Sequence, residues 1–179
     1  MKFLNATKTD ESTLSAKKGL HCIEWCVDAA FAVHPDCKSH TGACQVFEGG
    51  RGATQSVSAK QKLNASSSTT SESVGVDQAL PIVLWTPLFL EHQGQKVEEN
   101  KSHQDNRSSV LLEKNGKKSS GKRTRALNIR CFMMTDQHER GNLSIECCPT
   151  DKMLGDCMTK GLQGVKFSAF RKRIMGFKK

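Results

Sequence analysis

The sequence predicts one α/β domain in which a mixed five-stranded sheet is flanked by helices. Two observations lead to this prediction. An early region combines period-two alternation with glycine-rich turns, which indicates an antiparallel meander. The later chain alternates helical and strand-like patterns, as β-α-β crossovers do. With 179 residues, of which 36% are hydrophobic and 25% charged, the chain has the size and composition of a globular domain.

The first three strands are predicted within residues 21–60. In "HCIEWCVDAAFAV", Ile23, Trp25 and Val27 alternate with Glu24 and its neighbours, which is the period of a strand. The runs "ACQVFEGG" and "GATQSVSAK" follow and are separated by glycine-rich turn residues. Turns of this kind join adjacent antiparallel strands, so we expect a three-stranded meander.

A long helix is predicted after Ser67, where the pattern changes. Apolar residues then recur at helical spacing, and Gly94 provides a stop signal. Pro81 and Pro87 lie inside this pattern. Each proline removes a backbone donor, at a cost of about 3 kcal/mol in a regular helix interior. We therefore expect a kink or an interruption in this helix.

The remaining segments predict two more strands and several helices. "KVEENKSHQDN" has the pattern of a poor strand, and "DNRSSVLLEKNG" that of a short helix with Asp105 near its N-cap and Gly116 at its end. "RALNIRCFMMTDQHERG" predicts a helix and "NLSIECCPT" a last strand. "DKMLGDCMTKG" predicts a last capped helix, followed by the basic stretch "FRKRIMGFKK".

Charge and hydropathy limit the classes of function. The net charge of +9 and the pI near 9.3 favour a polyanionic partner, of which nucleic acid is the commonest. The N-terminus lacks the apolar core of a signal peptide, and the longest apolar run, "ALPIVLW", is too short to span a bilayer. We therefore expect an intracellular protein that is not secreted and has no membrane partner. Its eight cysteines are then thiols, metal ligands or packed apolar groups rather than a disulfide framework.

One segment raises the alternative of a zinc site. "HPDCKSHTGAC" offers four potential zinc ligands: His34, Cys37, His40 and Cys44. Their spacing is tighter than the Cys-x₂-Cys-x₄-His-x₄-Cys pattern of a zinc knuckle, and the run begins with histidine. The other interpretation, a turn between two strands, is favoured.

Four acids lie on predicted elements rather than in loops: Asp28, Glu72, Asp105 and Asp156. Glu72 precedes Val76 and Leu80 by one and two helical turns, so it lies on the same face as the apolar stripe. An acid at the end of such a stripe needs a partner. A single acid is most often a solvated surface group, so position alone leaves the role of each one open.

Five segments occur in the order found in the ribonuclease H region of the pol polyprotein of copia-type LTR retrotransposons. They are "WCVDAAFAVHPDCKSHTG", "KQKLNASSSTTSES", "QDNRSSVLLEKNG", "KRTRALNIR" and "CPTDKMLGDCMTKGLQG". The sequence resembles that region over residues 1–176. The resemblance implies a connector from a missing reverse transcriptase at 1–20, a ribonuclease H-like domain at 21–164, and a basic C-terminal tail or helix at 165–179.

The resemblance also implies a two-metal nuclease site formed by Asp28, Glu72, Asp105 and Asp156. These carboxylates would hold two Mg²⁺ ions, with Mn²⁺ as a substitute, because hard cations prefer oxygen ligands. Ions about 4 Å apart can activate water and stabilise the leaving 3′-oxygen. Without metal, the clustered carboxylates are expected to raise one another's pKa.

The implied substrate is the RNA strand of an RNA–DNA hybrid, which a nuclease distinguishes by its 2′-hydroxyls and minor-groove shape. Cleavage would take place during reverse transcription, with a reverse transcriptase domain in cis. An intact element would work in a cytoplasmic virus-like particle, and a nuclear location is the other expectation.

The basic run 114–130 contains seven Lys or Arg residues and no acid. We expect it to track phosphates, which would make binding salt-dependent. The residues expected to do so are Lys117, Lys118, Lys122, Arg123, Arg125 and Arg130. A solvated basic surface is the alternative. Trp85 and Phe89 are expected in the core rather than as base-stacking platforms.

The chain departs from the family pattern at several positions. Thr70 replaces an acid, Ala126 a histidine and Gly161 a proline, and "KSH" stands where an apolar strand is usual. Cysteines replace aromatic residues at four further positions: Cys26, Cys131, Cys147 and Cys157. Core truncations of this kind cost up to a few kcal/mol each, against a stability of about 5–15 kcal/mol. The alternative function is therefore a decayed, inactive fragment that at most binds nucleic acid through its basic segments.

Overall fold

A five-stranded mixed sheet with the order β3-β2-β1-β4-β5 forms the centre of the molecule. β1 is antiparallel to β2, and β2 to β3, whereas β4 is parallel to both β1 and β5. The strands are β1 (Cys22–Ala30), β2 (His40–Phe47), β3 (Gln55–Lys60), β4 (Glu99–Gln104) and β5 (Ser144–Cys147). The predicted meander followed by parallel strands is confirmed.

The computed structural model describes residues 7–16, 20–116 and 125–177, and for residues 125–131 it describes the backbone alone. Helices cover both faces of the sheet. They are α1 (Ser68–His92), α2 (Arg107–Asn115), α3 (Arg125–Glu139), α4 (Asp156–Thr159) and α5 (Gly164–Met175).

Alternation along β1 divides the core into two layers. Ile23, Trp25 and Val27 point to one face, where they pack against Val76, Leu80 and other buried residues of α1. Cys26 points to the other face and joins a second cluster with residues that include Cys44, Met153, Leu154 and Phe170. Asp28 shares the face of Cys26, two positions further along the strand.

α1 runs without interruption from Ser68 to His92, although Pro81 and Pro87 lie inside it. The predicted interruption is therefore wrong. Pro87 cannot donate to the carbonyl of Val83, its partner one turn earlier. The Asn100 side chain of β4 donates to that carbonyl instead, at 3.0 Å. This bond explains why a polar residue is buried in a central strand.

Among the described residues, α1 alone has the length and hydropathy that a membrane-spanning helix needs. Of its most apolar window, 44% is buried inside the protein. The buried part includes Val76, Leu80 and Val83, which pack on the sheet.

Exchange of Asn100 for leucine should destabilise the fold, because the buried Val83 carbonyl loses its donor. The expected cost is about 1–3 kcal/mol. In a Pro87→Ala background the restored backbone N–H can donate to Val83, so the same exchange should cost less by about 1 kcal/mol or more. Urea unfolding of the four proteins of this cycle measures the coupling. An equal cost of Asn100→Leu in both backgrounds would contradict this explanation.

Trp85 and Phe89 are exposed, by 51% and 43%, and the prediction that they belong to the core is wrong. Their rings stack on each other with centroids 4.8 Å apart. Trp85 follows the buried Val83 by two residues, which places it about 200° around the helix, on the opposite face. Helical angle, rather than apolar character, decides which residues of α1 are buried.

The C-terminal region also differs from prediction. The predicted last helix is reduced to the single turn α4, preceded by turns around Met153 and Leu154. The residues beyond it form the helix α5, which anchors Phe170 in the second cluster.

Candidate active site

Three of the four predicted carboxylates lie together. Asp28, Glu72 and Asp105 each offer an oxygen, and these oxygens all lie within 4.8 Å of one another. β1 and β4 are parallel, with Cys26 paired to His103. Two residues further along each strand, that pairing brings Asp28 beside Asp105. The three acids come from β1, α1 and the residue after β4, so their meeting is a product of the fold.

Asp105 is available to this cluster because its neighbour caps the helix. The N-cap of α2 is Asn106, whose Oδ1 accepts from the backbone N–H groups of Ser108 and Ser109 at 3.1 and 3.2 Å. The Asp105 carboxylate instead accepts a hydrogen bond from the Thr150 hydroxyl at 3.0 Å. Asp105 is half-buried, and the hydrogen bond from Thr150 fixes its carboxylate beside the cluster.

Glu72 is buried in the first turns of α1. Gly75 lets the helix approach β1, since a Cβ there would lie 3.3 Å from the Cβ of Ala29. Burial, together with the charges of Asp28 and Asp105, raises the pKa of Glu72 to about 9. Its Oε2 is buried and accepts no hydrogen bond from the described residues.

These features fit a hard divalent cation. The donor set is three carboxylates, the ligand type that Mg²⁺ and Mn²⁺ prefer. The unpartnered Glu72 oxygen and the raised pKa of Glu72 both indicate that positive charge is lacking at this point. Burial is the largest cause of the raised pKa of Glu72, and the neighbouring carboxylates add to it, as expected for clustered acids. Burial also raises the pKa of Asp28.

Asp156, the fourth predicted carboxylate, is the first residue of α4 and is buried beside the cluster. Its Oδ1 lies 2.5 Å from Lys160 Nζ, and its Oδ2 lies 2.5 Å from Lys166 Nζ. Burial raises the pKa of Asp156, but the two lysines outweigh burial and lower it. Lys160 Nζ is also 3.3 Å from Asp28 Oδ2. Lys160 therefore bridges the carboxylates of Asp156 and Asp28 through two ion pairs.

Sequence reasoning missed several residues that hold these acids in place. Thr159 donates to the Asp28 carboxylate. Behind the site, the buried Glu113 accepts from Gln104 and, at 2.9 Å, from the Ser109 hydroxyl. Burial raises the pKa of Glu113 to about 7. For Lys160 a signal existed, because it follows Asp156 by four residues, the spacing of a helical ion pair.

The alternative zinc site does not form. His34 Nε2 lies 3.0 Å from His40 Nδ1, so the two rings bond to each other. Cys44 is fully buried in the second core cluster, while Cys37 lies in an exposed turn. Within the described part of the chain, the three acids are the only group with metal-ligand geometry.

The residues predicted to bind nucleic acid lie largely outside the described residues. This applies to Lys117, Lys118, Lys122 and Arg123, and to the side chains of Arg125 and Arg130. A different arginine lies near the acids. Arg107 lines a cavity of about 610 Å³ together with Asp105, Cys148 and Thr150. This cavity opens beside the third carboxylate.

The cysteine substitutions have unequal consequences. Cys26 is buried in the second cluster, so a smaller side chain there bears on packing. Cys157 is partly buried against the same cluster. Cys147 is exposed, and the expectation of a core void is wrong at that position. The Cys131 side chain lies outside the described residues.

No protein-family model matches the sequence, and no curated relative matches it significantly. Solved structures do match. LC11-RNase H1, isolated from compost by a metagenomic approach, shares 16% identity over 77% of this chain and 92% of its own, with a TM-score of 0.58. The N-terminal RNase H domain of a Mycobacterium tuberculosis protein shares 11% identity over 85% of this chain and 97% of its own, with a TM-score of 0.53.

A second structure of LC11-RNase H1 contains an RNA/DNA hybrid. It shares 17% identity over 73% of this chain and 88% of its own, with a TM-score of 0.50. At these identities the likeness concerns the fold. The chain has the ribonuclease H fold, as the family resemblance implied.

Proposed function

We propose that this chain is a ribonuclease H domain that cleaves the RNA strand of RNA–DNA hybrids by metal-dependent phosphodiester hydrolysis. The observation that carries the proposal is the meeting of Asp28, Glu72 and Asp105, with oxygens within 4.8 Å of one another, in a ribonuclease H fold. The hybrid bound to LC11-RNase H1 supports the choice of substrate. The resemblance to copia-type elements supports an origin in a retrotransposon pol polyprotein, with reverse transcriptase as a partner in cis and an intracellular site of action.

Asp28, Glu72 and Asp105 would hold Mg²⁺, or Mn²⁺ in its place. When bound, the metal supplies Lewis acidity toward a phosphodiester and its attacking water. The chain's own residues orient the donors. Thr159 and Lys160 fix the Asp28 carboxylate, and Thr150 fixes that of Asp105. Glu72 must lose its proton to become a ligand, because its pKa of about 9 keeps it protonated at neutral pH.

The surface beside the acids suits a polyanion. Arg107 is exposed and lines the cavity next to Asp105, so it can contact a phosphate there. The net charge of +9 attracts nucleic acid to the whole molecule. We propose that the basic run 114–130 adds further phosphate contacts and that Mg²⁺ is the physiological ion.

Purified chain incubated with a hybrid labelled on its RNA strand tests this function. We expect cleavage of the RNA strand in Mg²⁺ or Mn²⁺, leaving 5′-phosphate ends, and no cleavage in EDTA. The same RNA as a single strand and the corresponding DNA duplex serve as controls. Tight binding without cleavage in either ion would contradict the proposal and favour an inactive nucleic-acid-binding fragment. Absence of a cooperative unfolding transition would show instead that this copy has lost its fold.

A further inference from the structure

A lysine ammonium occupies the space between two of the four predicted metal-binding carboxylates. Lys160 Nζ lies 2.5 Å from Asp156 Oδ1 and 3.3 Å from Asp28 Oδ2. The side chains of Asp28 and Asp156 are 2% and 1% exposed. This pair of buried carboxylates therefore already has a positive charge from the chain itself.

The two sides of the site differ in how their oxygens are satisfied. On the Asp156 side, Lys166 Nζ lies 2.5 Å from Asp156 Oδ2, and Thr159 donates to Asp28 Oδ2. On the opposite side, Glu72 Oε2 is buried and accepts nothing from the described residues. Once Glu72 loses its proton, this buried oxygen requires a donor or a cation. One side of the site therefore lacks a cation, and the other side has one.

Packing holds Lys160 in this position. It follows α4 directly, and α4 rests on β2 at Gly42, where a Cβ would lie 2.6 Å from Thr159 Cγ2 and 2.8 Å from Met158 Cβ. The Ser58 hydroxyl of β3 donates to the Met158 carbonyl at 2.8 Å. The backbone that carries Lys160 is thus attached to the sheet, which places the lysine side chain within reach of both acids.

We propose that Lys160 replaces the second metal ion, so that this chain holds one divalent ion, at Asp28, Glu72 and Asp105, instead of two. The inference rests on the proposed function, since it concerns the same carboxylates. A second ion at Asp28 and Asp156 would have to displace the Lys160 ammonium from both. Lys160 then neutralises the negative charge on the Asp156 side of the site, as a fixed cation.

Titration of the metal-stripped full chain with Mn²⁺, followed by calorimetry and electron paramagnetic resonance, tests this inference. We expect the wild type to bind one ion with the spectrum of an isolated Mn²⁺. Lys160→Met should bind a second ion at least tenfold more tightly than the wild type does, with a spin-coupled spectrum. Lys166→Met is the matched control: it also frees an oxygen of Asp156 but leaves Lys160 between the acids, so one ion is expected.

The outcomes separate this inference from the proposed function. Two coupled ions in the wild type would overturn the inference and leave the proposed function standing, and this result does not depend on whether a variant folds. A single ion in a folded Lys160→Met protein would also overturn it. No bound ion in the wild type would overturn the proposed function and the inference together.

Discussion

Exchange of Asp28 for asparagine should abolish cleavage of the hybrid while leaving the fold intact. Asp28 contributes to the three-acid cluster with Glu72, and its Oδ2 lies 3.3 Å from Lys160 Nζ. Asparagine keeps the size and a hydrogen-bond acceptor for Thr159 but removes the charge that a cation needs. A bound metal supplies several kcal/mol of transition-state stabilisation, so the rate should fall at least about a thousandfold.

The measurement is the single-turnover rate on a labelled hybrid in Mg²⁺, with circular dichroism melting of the same preparations. Asp136→Asn is the matched control. Asp136 lies near the end of α3, just before β5 begins, and its carboxylate pairs with Arg140 Nε at 2.9 Å. It is not part of the three-acid cluster. The control variant should cleave at the wild-type rate. Cleavage by Asp28→Asn at the rate of Asp136→Asn would exclude the three-acid cluster as the active site.

Exchange of Glu72 for glutamine should change how stability depends on pH. The pKa of Glu72 is about 9 in the folded protein, against an ordinary value of 4.5. Between these values the folded state holds a proton that the unfolded state has released. The free energy of unfolding therefore falls as pH rises from about 4.5 to about 9, by up to about 1.4 kcal/mol per pH unit for this one group.

Glutamine cannot ionise, so Glu72→Gln should have a smaller slope, and its advantage over the wild type should grow with pH. Between pH 5 and 7 the difference should reach up to about 3 kcal/mol. Glu91→Gln, an exposed exchange on the same helix, is the control.

Urea unfolding in EDTA at several pH values measures these slopes. In Mg²⁺ the wild-type slope should flatten, because the ion favours the ionised carboxylate. Parallel pH profiles of Glu72→Gln and the wild type in EDTA would refute the raised pKa of Glu72. Unchanged profiles on addition of metal would argue that Glu72 is not a ligand.

Local patterns were sufficient to predict the sheet. Alternation in β1 and the glycine-rich turns after β2 are properties of neighbouring residues, and they predicted strands at the observed places. The error at Pro87 arose because a distant residue decides whether the helix continues, whereas the exposure of Trp85 follows from its angle around the helix. Pro87 is tolerated in α1 because Asn100, from another element, donates to the carbonyl that the proline leaves without a partner. The free-energy cost of a proline, when estimated from the helix alone, does not include this hydrogen bond.

The candidate site was harder to predict than the fold. Asp28, Glu72 and Asp105 are far apart in sequence, and no spacing rule relates them; the family resemblance supplied all three. Lys160 carries a local signal toward Asp156, but its approach to Asp28 depends on how α4 packs on β2 at Gly42. Contacts of this kind follow from tertiary packing and could be found only in the structure.

The two tryptophans differ in burial, which has a practical consequence for fluorescence spectroscopy of this protein. Trp25 is fully buried three residues before Asp28, whereas Trp85 is 51% exposed, and the chain contains no tyrosine. Intrinsic fluorescence therefore comes from one emitter inside the sheet and one on the surface, without tyrosine emission beneath them. With phenylalanine at position 85, the remaining indole would be an optical reporter of the core between β1 and α1.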